Sequence, residues 1–105
     1  MTRKENRSAP RTYIPASDTG NRVEAVIGGK HQSFKVLNVC NNGIGMLVTA
    51  DQAEVLGLLN PHDRLNITHI TPRGSLELTA VIRHISKIRS GDFKGSFCVG
   101  FSMTL

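Results

Sequence analysis

The sequence contains no tryptophan and one tyrosine, and only four phenylalanines accompany them among 105 residues. A protein that holds single-stranded nucleic acid by stacking successive bases on aromatic rings needs a series of such platforms. This chain has no obvious series, and no DNA partner is expected. Cysteine is equally scarce. Cys40 and Cys98 form no Cys-x-x-Cys pair, which excludes a disulfide scaffold and points to free thiols in a reducing cytosol. No apolar run approaches the roughly 20 residues of a membrane helix, and no signal-peptide core opens the chain. A cytoplasmic location without membrane insertion is therefore expected. Negative charge is the last shortage: eight Asp and Glu face thirteen Lys and Arg, a net +5 with a pI near 9.8. That excess suits an anionic partner, whether nucleic acid, nucleotide or membrane surface.

Catalytic signatures are missing as well. There is no Gly-x-Ser-x-Gly, no Walker motif and no Gly-x-Gly-x-x-Gly, and the carboxylates are too scattered to form an acid/base pair. His31, His62, His69 and His84 have neither i, i+4 helical spacing nor Cys neighbours, so they read as strand or surface residues and not as metal ligands. No catalytic residue and no metal site are assigned, and the chain is read as a non-enzyme.

What remains is 39% apolar and 20% charged, enough for one globular domain with a single core. Residues 1–20 form a polar segment with Pro10 and Pro15 and no periodic apolar face, read as a flexible basic arm. From residue 21 to 105 short strands follow one another. Arg22 to Ile27 stops at Gly28-Gly29, a hairpin signal. His31 to Val39 returns, and Ile44 to Thr49 leaves again. Thr49 to Asn60 favours a short helix over one opening of a barrel, with Asp51 placed to cap it and Asn60-Pro61 ending it. Asp63 to Thr71 precedes a turn at Pro72-Arg73-Gly74-Ser75. Leu76 to Ile85 carries Leu76, Leu78, Ala80 and Ile82 on one face. Ser90-Gly91-Asp92 makes the last hairpin, and Phe93 to Met103 the closing strand. Short strands with closely spaced turns and one small helix imply an all-β chain, a six-stranded antiparallel barrel.

The chain is organised around Leu37-Asn38-Val39-Cys40-Asn41-Asn42-Gly43-Ile44-Gly45-Met46-Leu47. Alternation puts Leu37 and Val39 on the apolar face, with Asn38 and Cys40 on the other. Asn41-Asn42-Gly43 is a turn sequence, and Gly43 and Gly45 leave room for close approach to the backbone. The expected result is a polar notch on an apolar hairpin.

Two motifs carry a resemblance. Arg7-Ser8-Ala9-Pro10-Arg11 is an Arg-x-x-x-Arg, and Asn38-Val39-Cys40-Asn41-Asn42-Gly43 is similar to Asp/Asn-x-Ser-x-x-Gly with Cys40 in the Ser place. In that order, one hairpin apart, they resemble the signature of the PilZ domain, a bacterial β-barrel that binds cyclic di-GMP. Gly100-Phe101-Ser102-Met103 is similar to the family's closing motif. Arg3 and Arg7 offer the same spacing, but Arg11 leads directly into Tyr13-Ile14-Pro15, as the family's motif leads into its first strand.

The resemblance implies a ligand site of Arg7, Arg11, Asn38, Cys40, Asn42 and Gly43. The planar fork of Arg matches the O6/N7 edge of guanine and also serves phosphate. A thiol is a weaker hydrogen-bonding group than a hydroxyl, so binding is expected to be looser than with Ser. The implied role is a receptor with no cofactor apart from its ligand, cyclic di-GMP. Binding would order the arm and change a face for a protein effector in motility or biofilm regulation. The chain is expected to act as a monomer or weak dimer. The alternative is a degenerate barrel that serves only as a protein-interaction module.

Overall fold

A computed structural model of the chain describes residues 12–15, 20–40 and 42–104. Its strands are β1 (Thr12–Tyr13), β2 (Arg22–Ile27), β3 (Lys30–Cys40), β4 (Gly43–Val48), β5 (Arg64–Thr71), β6 (Gly74–Lys87) and β7 (Phe97–Thr104). All pairings are antiparallel. The order β3-β2-β5-β6-β7-β4 closes because β4 pairs back onto β3, giving the expected six-stranded barrel with β1 as an extra strand. Closure removes the sheet edges that strands of this kind otherwise leave exposed.

The long strand β3 makes closure possible. Lys30 to Lys35 pair with β2, and Val36 to Cys40 pair with β4. Tyr13 of β1 also pairs with Asn38, so Asn38 has β1 on one side and β4 on the other. Residues 12–15, read as part of the arm, are thus held on the barrel: Ile14 N donates to the Leu37 carbonyl at 2.8 Å and Lys35 Nζ to the Pro15 carbonyl at 3.0 Å.

A period of two fills the interior. Val23, Ala25 and Ile27 point inward from β2, Leu78, Ala80 and Ile82 from β6, and Val99 and Phe101 from β7. Leu76, expected on the same face as Leu78, is 56% exposed because it lies close to the β5–β6 turn, beyond the core.

Two register shifts break the period. One lies between Val36 and Asn38 of β3, the other between Ile82 and His84 of β6. Each is a β-bulge, an extra residue that changes which face the following side chains occupy. In β3 the inward residues are Phe34, Val36 and then Val39. Leu37 therefore does not share the core face with Val39. It is half-buried and lines an outer cavity with Tyr13, Ile14, Ile88 and Phe93.

The helical segment is a 3-10 helix over Ala50–Leu58. It is held at its start by Thr49 and Gln52, not by Asp51: Gln52 Oε1 accepts from Thr49 N at 3.3 Å and from Thr49 Oγ1 at 3.1 Å. Gln52 Nε2 donates to the Ser33 carbonyl at 2.8 Å. Val55 and Leu59 join the core from this segment, which covers the barrel end carrying the β2–β3 turn. The closing strand begins at Phe97, not Phe93. Gly91 and Gly95 both have positive φ, a conformation glycine adopts without strain. Hydrogen bonds Ile88 N to Ser96 O and Gly95 N to Ile88 O lengthen the last hairpin into a loop.

Candidate functional site

The two bulges act on one wall. Beyond them, Asn38 of β3 opposes Gly45 of β4, Gly45 opposes Gly100 of β7, and Gly100 opposes His84 of β6. These four residues form a row across four strands on the outer face. The inward face of the same strands carries Val39, Ile44, Met46, Val99 and Phe101.

In the middle of the row both residues lack side chains, and their neighbours cover them. A Cβ on Gly45 would sit 2.8 Å from Asn38 Nδ2 and 2.9 Å from Asn38 Oδ1, and one on Gly100 would meet the His84 ring. Both glycines are buried although they belong to the outer face, since the Asn38 amide and the His84 imidazole lie over them. In the next row Cys40 opposes Gly43 and Gly43 opposes Ser102. A Cβ on Gly43 would stand 2.8 Å from the Phe101 carbonyl oxygen, a backbone atom with little freedom to retreat. Glycine is required there by space.

The result is a cavity of about 220 Å³ lined by Asn38, Cys40, Asn42, Gly43, Arg83, His84 and Ser102 among others. Arg83 Nε donates to Ser102 Oγ at 2.7 Å, which holds a guanidinium at the rim. Cys40 Sγ donates to Asn42 Oδ1 at 3.6 Å, and Met103 N donates to the Asn42 carbonyl at 2.9 Å, tying the β3–β4 turn to β7. Among the described residues, no carboxylate lines this cavity. Its chemistry is an amide, a thiol, a hydroxyl, an imidazole and a guanidinium around a glycine floor, a set that hydrogen-bonds and attracts anions.

A larger recess of about 530 Å³ lies outside β2, β5 and β6, lined by Glu24, His31, Asn66, Thr68 and Glu77 among others. Size does not decide between the two. The carboxylates Glu24 and Glu77 repel the anionic ligand that the net charge favours, so the smaller cavity is the better candidate.

Of the residues expected in the site, the structure brings Asn38, Cys40, Asn42 and Gly43 together. Arg7 and Arg11 lie outside the described residues, as does Asn41 of the turn. Arg83, His84, Gly100 and Ser102 were not expected in the notch. One signal for the β6 pair stands in the sequence: inward residues Ile82 and Ile85 are three apart, as Val36 and Val39 are in β3. A spacing of three in an alternating strand marks a bulge. Among the described residues no group of three His, Cys, Asp or Glu gathers to hold a metal ion, and no helix is long and apolar enough to cross a membrane.

No family model matches the sequence, nor does any curated protein. Solved structures share its fold. The structure of the K. pneumonia MrkH–c-di-GMP complex aligns with a TM-score of 0.81 at 14% identity, over 97% of this chain and 46% of that one. The PilZ domain with c-di-GMP of YcgR from Escherichia coli aligns at 0.71 and 16% identity, over 94% and 78%. The Bacillus subtilis inhibitor of motility, MotI/DgrA, aligns at 0.67 and 16%, over 99% and 44%. The chain spans about half the length of the MrkH chain. At these identities the likeness is one of fold: the barrel is built as PilZ domains are.

Proposed function

We propose that the chain is a non-enzymatic receptor for cyclic di-GMP, bound in the glycine-floored notch by Asn38, Cys40, Asn42 and Gly43 and clamped by Arg7 and Arg11. The observation that carries this reading is the direction of β1. Thr12 opposes Val39, one residue from Cys40, and Arg11 is the residue before Thr12. A chain anchored at that point has only a short distance to span for Arg11 and Arg7 to reach a ligand over the notch. Two guanines and two phosphates present the bidentate acceptors that guanidinium groups recognise. The PilZ-like fold and the cation-rimmed notch, free of carboxylates among the described residues, support the same ligand class. Ligand capture by the arm then changes the surface beside β1 and β3, where a protein effector reads it.

Calorimetric titration with cyclic di-GMP, beside GTP and cyclic GMP as controls, tests the reading. Each charge-assisted contact contributes about 1.5–3 kcal/mol, so Arg7→Ala and Arg11→Ala are each expected to weaken binding by at least tenfold. If both variants bind as tightly as the parent, the clamp is wrong.

A second reading has one observation in its favour. Cys40 stands at the motif's Ser position and directs its S–H to Asn42 within the turn. In that reading the barrel is a protein-interaction module without a nucleotide, and the parent chain gives a flat calorimetric trace.

A further inference from the structure

We propose that His84 is the purine-stacking platform of the notch, an inference that rests on the cyclic di-GMP reading above. The chain is poor in aromatic rings, and His84 supplies one where the ligand would lie.

Three observations converge on it. The bulge between Ile82 and His84 puts the side chain on the outer face, in line with Gly100, Gly45 and Asn38. The ring lies face-down on Gly100. A Cβ built there would stand 2.7 Å from Nδ1 and 2.8 Å from Nε2, with Cε1 closer still. Both nitrogens lie so near only when the Cβ position stands above the ring face; an approach along the ring plane at Cε1 would leave both markedly farther away. Finally, His84 is exposed while Gly100 beneath it is buried. One face of the imidazole is thus spent on the backbone and the other faces outward over the cavity.

The two flanks of the row differ in what they offer. The Asn38 amide reaches over Gly45 with its oxygen and nitrogen nearest and suits a base edge. The His84 ring offers a π face and suits the flat of a base. Gly100 sets the height of this plate: any side chain there would lift the imidazole off the strand. Neighbouring strands are spaced about 4.8 Å apart, so the groups over Gly45 and Gly100 lie within the width of one purine. Stacking a base on an aromatic side chain is sequence-tolerant and substantial. It would act beside the arginines and not in place of them.

The test compares the parent chain with His84→Ala and His84→Phe by calorimetry with cyclic di-GMP, and follows the His84 ring protons of the parent by NMR during the titration. His84→Ala is expected to weaken binding about tenfold, and His84→Phe to stay within about threefold of the parent, since a flat ring is restored without hydrogen-bonding nitrogens. The His84 ring protons should move upfield as the purine stacks. Unchanged affinity in His84→Ala overturns the proposal and leaves the receptor reading standing. So does a His84→Phe variant as weak as His84→Ala with no upfield shift in the parent, which assigns the ring a hydrogen-bonding role instead. A parent chain that binds no cyclic di-GMP overturns the receptor reading, and this inference with it.

Discussion

The wall made by β3, β4, β7 and β6 and the wall made by β2, β5 and β6 share one core but are built on opposite rules. The second is regular. The β2–β5 and β5–β6 ladders run without a register shift, and Glu24, Thr68 and Glu77 lie opposite one another across them. Every outer position there carries a side chain. The first wall is bulged on both flanks and bare in the middle, where Gly45 faces Gly100. The regular wall offers carboxylates around a broad recess. The bulged wall offers a hollow with a guanidinium, an imidazole and an amide at its margins. Only on the bulged wall are side chains withdrawn and the alternation reset, and only there is the hollow floored by glycine.

Filling the hollow breaks the contrast most directly. Gly45→Leu places atoms where the Asn38 amide now lies, only 2.8 Å from a Cβ. It is expected to reduce cyclic di-GMP affinity at least 100-fold. Thr68→Leu, the same kind of change on the regular wall, should leave affinity within about twofold. Calorimetry on both variants decides it, and equal effects would mean that the ligand does not use the glycine row.

A smaller effect tests the β3 bulge itself. Val36 is fully buried and Leu37 is half-buried on the outer cavity. Val36→Ala should cost about 2 kcal/mol of stability and Leu37→Ala clearly less, although Leu loses more carbon atoms than Val. Urea unfolding measures both. The reverse order would put Leu37 in the core and remove the bulge.

The smallest effect belongs to the regular wall. His69 on β5 has its Nε2 buried without a partner among the described residues, and desolvation lowers its pKa below the ordinary 6.5. The unfolded chain therefore takes up the proton first as pH falls. Stability from this group is complete above 6.5, declines as pH drops below it, and levels off beneath the lowered folded value. Thermal melts between pH 7.5 and about 5 should show a shallow decline that His69→Leu flattens, with no matching change in ligand affinity at the distant notch.

Much of this was open to reading along the chain. Gly28-Gly29 marked the first hairpin, and Gly28 and Gly29 do take positive φ. Leu78, Ala80 and Ile82, read on one face of their strand, are buried. Asn38, Cys40, Asn42 and Gly43 were marked by composition as a polar notch, and they line one cavity. Leu37 was misread because strict alternation has no place for an extra residue. His84 was passed over because the Ile82–Ile85 spacing marks a bulge but not what the side chain it turns outward will cover. Its significance depends on Gly100, which lies on another strand.

The sequence by itself determined the architecture: closely spaced turns and period-two apolar strands leave few folds other than a small closed barrel. These are local properties, set by backbone sterics and by which face of each strand avoids water. Only the tertiary structure decided the site, by aligning Asn38, Gly45, Gly100 and His84 across four strands. Register between distant strands is fixed by the packing of the whole core, and a one-residue bulge changes which side chains meet.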